Sequence, residues 1–285
     1  MATTTNDTTY TESELEAEKT AGSRSALAMA RRGAFYLSLG LAAAMTVLFL
    51  PDLLALLVMG WTAEAGAELG IHRLHVMGIA AVVGAFLLGL FVQAYKPRER
   101  IASMWGAFLV ILTASVGTVW FGVGRPEEVL PFLAVTGIAL VVHPAGRRLL
   151  RRGNSYSPAL LGLVAVAAIP ILAFAATQLS MSSSTVDPHA LDGHYVMMTA
   201  LLIAPLAYGL FAALGFDGWR LASWFAALPI AYYGLLSIAF PAQVGSTGAM
   251  WGVAAICWAI AFVAVAEYSR METSSMLRRE VGHSS

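Results

Sequence analysis

The chain has 285 residues, of which 58% are hydrophobic and only 12% charged, and its 17 basic side chains balance 17 acidic ones. Mean hydropathy is +0.72. This composition excludes a soluble globular enzyme and a nucleic-acid-binding domain, and it accommodates about eight helices of ~20 residues each across a bilayer.

Residues 1–32, rich in Thr, Ser and Glu, lack the basic start and apolar core of a signal peptide and read as a disordered cytoplasmic tail. Apolar runs then predict spans over 33–60, 71–95, 101–123 and 127–144, a first four-helix unit occupying 33–146. The first run contains Pro51-Asp52, and the fourth is the shortest. A polar cytoplasmic linker, 147–157, leads to a second unit, 158–270, with spans over 158–181, 193–216, 219–241 and 248–268. A cytoplasmic tail, 271–285, follows. Cys257, the lone cysteine, falls in the last span, where it reads as a small buried apolar residue.

Orientation follows from the basic residues. With the amino terminus in the cytoplasm, only Arg73 and Arg125 of the 17 Lys and Arg lie on external segments. The predicted fold class is an all-α integral membrane protein of the cell membrane, with eight transmembrane helices and both termini cytoplasmic.

The two units look like tandem repeats. At an offset of 120 residues, Val76-Met77 matches Val196-Met197, Gly89-Leu90-Phe91 matches Gly209-Leu210-Phe211, and the Arg100 to Ser103 run matches Arg220 to Ser223. Two parallel units of four spans imply a pseudo-axis along the membrane normal, with the second and sixth spans equivalent.

Four histidines gather at the external starts of those two spans, His72 and His75 on one and His189 and His194 beside the other. Ionisable groups at a bilayer boundary need a partner or a task. His72 and His75, three residues apart, share a helix face, and the repeat sets His75 opposite Tyr195 and His72 opposite Asp192. Together with Glu68, Asp187 and Asp192 they form one candidate external cluster. Imidazole and carboxylate suit a transition metal, and two imidazoles from different helices suit a haem iron. The predicted metal set is His72, His75, His189, His194 and Asp192. His143 sits at the cytoplasmic end of the fourth span, about a bilayer thickness of ~30 Å away, and reads as an interfacial cap.

Eight helices in two units, with Glu68 ahead of His72-Arg73 at the outer start of the second span, resemble the haem A synthase family of membrane haem-modifying oxidases. The resemblance implies a membrane oxidoreductase holding haem near the outer face, with His72 as an axial ligand, His75 and His194 as further cofactor-binding residues, and Glu68 as the acidic catalytic group. Unlike the family pattern, the fourth and eighth spans carry no histidine near their outer ends, where Val129 to Phe132 and Gly248 to Ala255 stand, so haem ligands must come from the second and sixth spans together, or from one histidine and a methionine such as Met250.

Two other classes fit the same composition. A small-molecule or ion transporter built from parallel repeats would use Asp52, the intramembrane prolines Pro170, Pro205 and Pro229, and polar Gln178, Thr199, Tyr208, Tyr232 and Tyr233. A non-catalytic subunit would pack against a membrane partner, or a second copy of itself, through Gly84, Gly89 and Gly137. Beyond the lipid bilayer and a haem or small-molecule ligand, no partner is legible. No GxxxxGK[ST], GxGxxG, GxSxG or HExxH motif is present, and the basic run Arg147 to Arg152 reads as a topology signal rather than a nucleic-acid patch.

Overall fold

A computed structural model describes residues 12–61, 67–153 and 156–283, without the side chains of 12–19, 21, 24, 49–50, 52–53, 59, 67–72 and 270–283. The described residues form helices and connections with no strand. In chain order the helices are α1 (Glu12–Met59), α2 (Ala67–Phe91), α3 (Ile101–Phe121), α4 (Pro126–Val141), α5 (Pro158–Met181), the single turn α6 (Pro188–Leu191), α7 (His194–Ala213), α8 (Trp219–Ala239) and α9 (Gly248–His283).

Among the described residues, six segments are long and apolar enough to cross a membrane: Arg73–Ala94, Ile101–Phe121, Pro158–Met181, His194–Ala213, Trp219–Ala239 and Gly248–Ser269. The protein is therefore of the multi-pass membrane type. α4, with 16 residues, is shorter than the expected 127–144 span. α1 runs unbroken through Pro51. Its start at Glu12 makes 12–32 helical where disorder was expected, because Ala, Glu, Leu and Arg in this stretch are strong helix formers. Residues 271–283 are likewise helical. Cys257 is exposed rather than buried. It lies on an apolar helix whose outer side needs no polar marker, so composition alone hides which face turns inward.

α2, α3, α7 and α8 occupy the centre, with α1 and α4 on one flank and α5 and α9 on the other. The helix pairs that touch obey a rule. α1 packs on α2 as α5 packs on α7; α1·α4 corresponds to α5·α9, α2·α3 to α7·α8, α3·α4 to α8·α9, and α3·α7 to α2·α8. Exchanging the two halves leaves the packing pattern unchanged.

The central seam is held by one aromatic wedge. Tyr208 of α7 is wholly buried, and its hydroxyl donates to the Ala85 carbonyl at 3.1 Å. The ring lies against the bare faces of Gly89 and Gly106, where any Cβ would overlap it. Gly84 has nothing within 4 Å, and a Cβ on Gly137 would meet only Phe108, at 3.9 Å. Of the three glycines expected to permit close packing, Gly89 therefore does so inside the chain. Of the polar groups expected of a transport path, Thr199, Tyr232 and Tyr233 are committed to backbone: Thr199 bonds Tyr195 O, Tyr232 bonds Leu57 O and Tyr233 bonds Gly245 O. The side chain of Asp52 lies outside the described residues.

At the end of the bundle where α2 finishes, His143 is wholly buried within the protein. The Ala145 N–H donates to its Nδ1 at 3.1 Å, which fixes the proton on Nε2, and Nε2 donates to Gln93 Oε1 at 3.3 Å. Gln93 in turn donates to Gly89 O and Arg100 O. Both ring nitrogens are thus used in the neutral form.

Candidate functional site

The other end of the bundle collects three histidines from three elements. His75 lies a few residues inside the apolar segment of α2, His189 on the single turn α6, and His194 at the first position of α7. Local sequence explains the convergence. Asp187 caps α6, accepting from the His189 N–H at 2.9 Å, and Pro188 starts that turn because its missing N–H is not needed there. The chain then reverses at Gly193, φ 73°, directly into α7.

The His75 and His189 ring centroids are 5.0 Å apart, His75 and His194 5.7 Å, and His189 and His194 5.9 Å. His75 is completely buried and His189 7% exposed, while His194 is half-buried. Tyr195, which the repeat pairs with His75, meets it edge-on at 5.5 Å.

A carboxylate orders this group, and it is Asp187 rather than Asp192. Asp187 Oδ1 lies 3.1 Å from His189 Nδ1, and the Tyr195 hydroxyl donates to Oδ2 at 2.7 Å. The bond from Tyr195, then those from the His189 backbone and ring, hold the Asp187 carboxyl below its ordinary range. An ionised Asp187 accepts from Nδ1–H, so the lone pair of the His189 ring is carried on Nε2.

Asp192 is exposed. It lines an open cavity of about 410 Å³ together with Arg125, Glu128, Thr118, Met197 and His194. His194 is therefore the group shared between the buried trio and this vestibule. A loop packs against His75: Gly245, between α8 and α9, lies so close that a Cβ there would stand 2.6 Å from His75 Nε2.

The backbone of Glu68 and His72 belongs to the first turns of α2, but their side chains lie outside the described residues. Of the predicted site residues the structure brings together His75, His189 and His194, and it sets Asp192 in the adjoining vestibule. Met250, the alternative to a second histidine ligand, is 81% exposed. Sequence reasoning put the weight on Asp192 and passed over Gly245. The Asp-Pro pair at 187–188, a helix-start signal, marked Asp187 as the residue that shapes the loop.

No three His, Cys, Asp or Glu among the described residues stand as a ready-made metal-holding group. The centroid separations within the trio compare with those of three imidazoles around one ion as follows. With nitrogen-to-metal bonds of about 2 Å, ring centroids sit about 3 Å from a shared ion and about 5 Å from each other in a tetrahedral arrangement. One pair already has that separation, and the other two exceed it by less than about 1 Å.

No family model matches the chain, and no curated protein or solved structure matches it.

Proposed function

We propose that this is a metal-binding membrane protein of eight spans, with a transition-metal ion held by His75, His189 and His194 at the external ends of α2 and α7. The observation that carries the reading is the packing of three imidazoles, from three separate elements, within 5.0–5.9 Å of one another in a largely buried position. The Asp187 carboxylate supports it, because a carboxylate behind a ligating histidine fixes the tautomer and raises the ring's basicity. The two-repeat architecture is supported by the exchange of packing pairs between the halves. The cytoplasmic placement of both termini is supported by the distribution of Lys and Arg.

A compact ion suits the trio better than haem. With iron midway between His75 and His194, the His189 ring, 5.0 and 5.9 Å from them, would lie within the radius of the porphyrin. Three imidazoles leave a fourth position open to water or substrate, which is the pattern of catalytic rather than structural ions. The half-buried His194 and its 410 Å³ vestibule supply the approach from outside. Imidazole ligation suits zinc, copper or iron; copper or iron would serve an oxidoreductase and zinc a hydrolytic site.

Chelator-treated protein in neutral detergent is expected to gain several degrees in thermal midpoint on adding one equivalent of zinc or copper, and a metal bound at 100 times its Kd is worth about 2.7 kcal/mol. His189→Ala should remove that response, and Asp187→Asn should shift it to 10–100-fold higher metal concentration. An equal response in wild type and His189→Ala would refute the site.

A further inference from the structure

The opposite end of the bundle carries a second, differently charged site. A cavity of about 300 Å³ is lined by Ser25, Arg31 and Arg32 of α1, by Arg98 in the turn after α2, and by His143. Among the described residues, none that lines it is acidic. Arg31, Arg32 and Arg98 have no carboxylate partner among the described residues, and the acid next to Arg98, Glu99, is engaged by Lys96 at 3.5 Å. Three guanidiniums from two elements around one cavity, with no acid among its described lining residues, form an incomplete charge arrangement. Each planar guanidinium offers a fork of donors matched to phosphate oxygens.

The cavity walls are fixed rather than loose. Arg98 Nε donates to Pro144 O at 3.2 Å, which ties the turn after α2 to the end of α4. His143, buried beneath with both ring nitrogens used internally, forms a neutral floor. Ser25 adds a hydroxyl that can donate to a bound oxygen.

Position selects the source of the phosphate. Arg31 and Arg32 are the last charges on α1 before its long apolar run begins at Gly33, so the cavity lies at the level where a span meets lipid headgroups. Basic pockets at that level bind anionic lipid headgroups. We infer that this cavity is a binding site for the phosphate of an anionic phospholipid, seated between Arg31, Arg32 and Arg98, which anchors α1 to the turn after α2 and to α4. The inference is independent of the metal site.

The test uses the full-length protein in neutral detergent, its thermal unfolding followed while dioleoylphosphatidylglycerol, dioleoylphosphatidylcholine or inorganic phosphate is added. Phosphatidylglycerol is expected to raise the midpoint and phosphatidylcholine to leave it unchanged. The half-saturating phosphatidylglycerol concentration should rise roughly 100-fold in R31Q/R32Q/R98Q. A control that removes the same two charges as R31Q/R32Q, R151Q/R152Q, should respond as wild type does. Where loss of the Arg98 bond to Pro144 prevents folding, R31Q/R32Q, changed on the exposed side of α1, gives the same comparison. Stabilisation by inorganic phosphate, equally lost in R31Q/R32Q, would keep the phosphate site and overturn the lipid as its source. Equal phosphatidylglycerol response in wild type and R31Q/R32Q, or no response to either phosphate source, would overturn the site itself.

Discussion

Gly106→Ala is expected to destabilise the protein by about 3 kcal/mol, the upper part of the range for overpacking a filled core. The added methyl would fall on the ring of Tyr208, which is wholly buried between α2, α3 and α7 and anchored by its hydroxyl to Ala85 O at 3.1 Å. Neither the ring nor the helix has space to yield, since Gly89 already lies against the hydroxyl end. Gly84→Ala supplies the contrast. That position has nothing within 4 Å, so the same substitution should stabilise by up to about 1 kcal/mol through helix propensity alone. Shortening the wedge tests the cause: in a Tyr208→Leu background, the cost of Gly106→Ala should fall by more than half, a coupling read by a double-mutant cycle of thermal midpoints.

Gly245→Ala is expected to weaken metal binding 10–100-fold although it replaces none of the three histidines. Gly245 has φ 81°, a left-handed conformation that costs an L-residue about 1–2 kcal/mol. In addition its new Cβ would stand 2.6 Å from His75 Nε2 and 3.1 Å from Cδ2, so the ring must rotate out of the trio. Gly248, three residues on, separates the two effects. Its φ is 80° but a Cβ there meets nothing within 4 Å, so Gly248→Ala should incur the backbone cost without changing metal affinity. Competition against a chromogenic chelator measures the difference. Equal affinities in the two variants would remove His75 from the site.

Much of this was legible from periodicity and composition. The apolar run predicted over 71–95 corresponds to α2, Ala67–Phe91, and those over 158–181 and 219–241 correspond to α5 and α8 within two residues. The 120-residue match set His75 against Tyr195, and their rings meet at 5.5 Å. Tyr208 was marked only as a polar residue in a membrane helix, because no local pattern announces that two glycines on other helices make room for it. The link from His143 to Gln93 joins residues 50 positions apart on different elements, and nothing in either neighbourhood points to the other. At the proposed metal site the histidines stood out by their cost in an apolar chain. The choice between Asp187 and Asp192 turned on backbone geometry: Asp187, as the cap of a single helical turn, is aimed at His189 and Tyr195, whereas Asp192 ends that turn facing the vestibule.

The most direct measurement is the metal content of the purified protein after gel filtration in neutral detergent, by elemental analysis, alongside His75→Ala and His189→Ala. Close to one zinc, copper or iron per wild-type chain is expected, and none in either variant, with both variants eluting at the wild-type position. Metal-free wild type that takes up no zinc, copper or iron on reconstitution, or variants that retain the full equivalent, would contradict it.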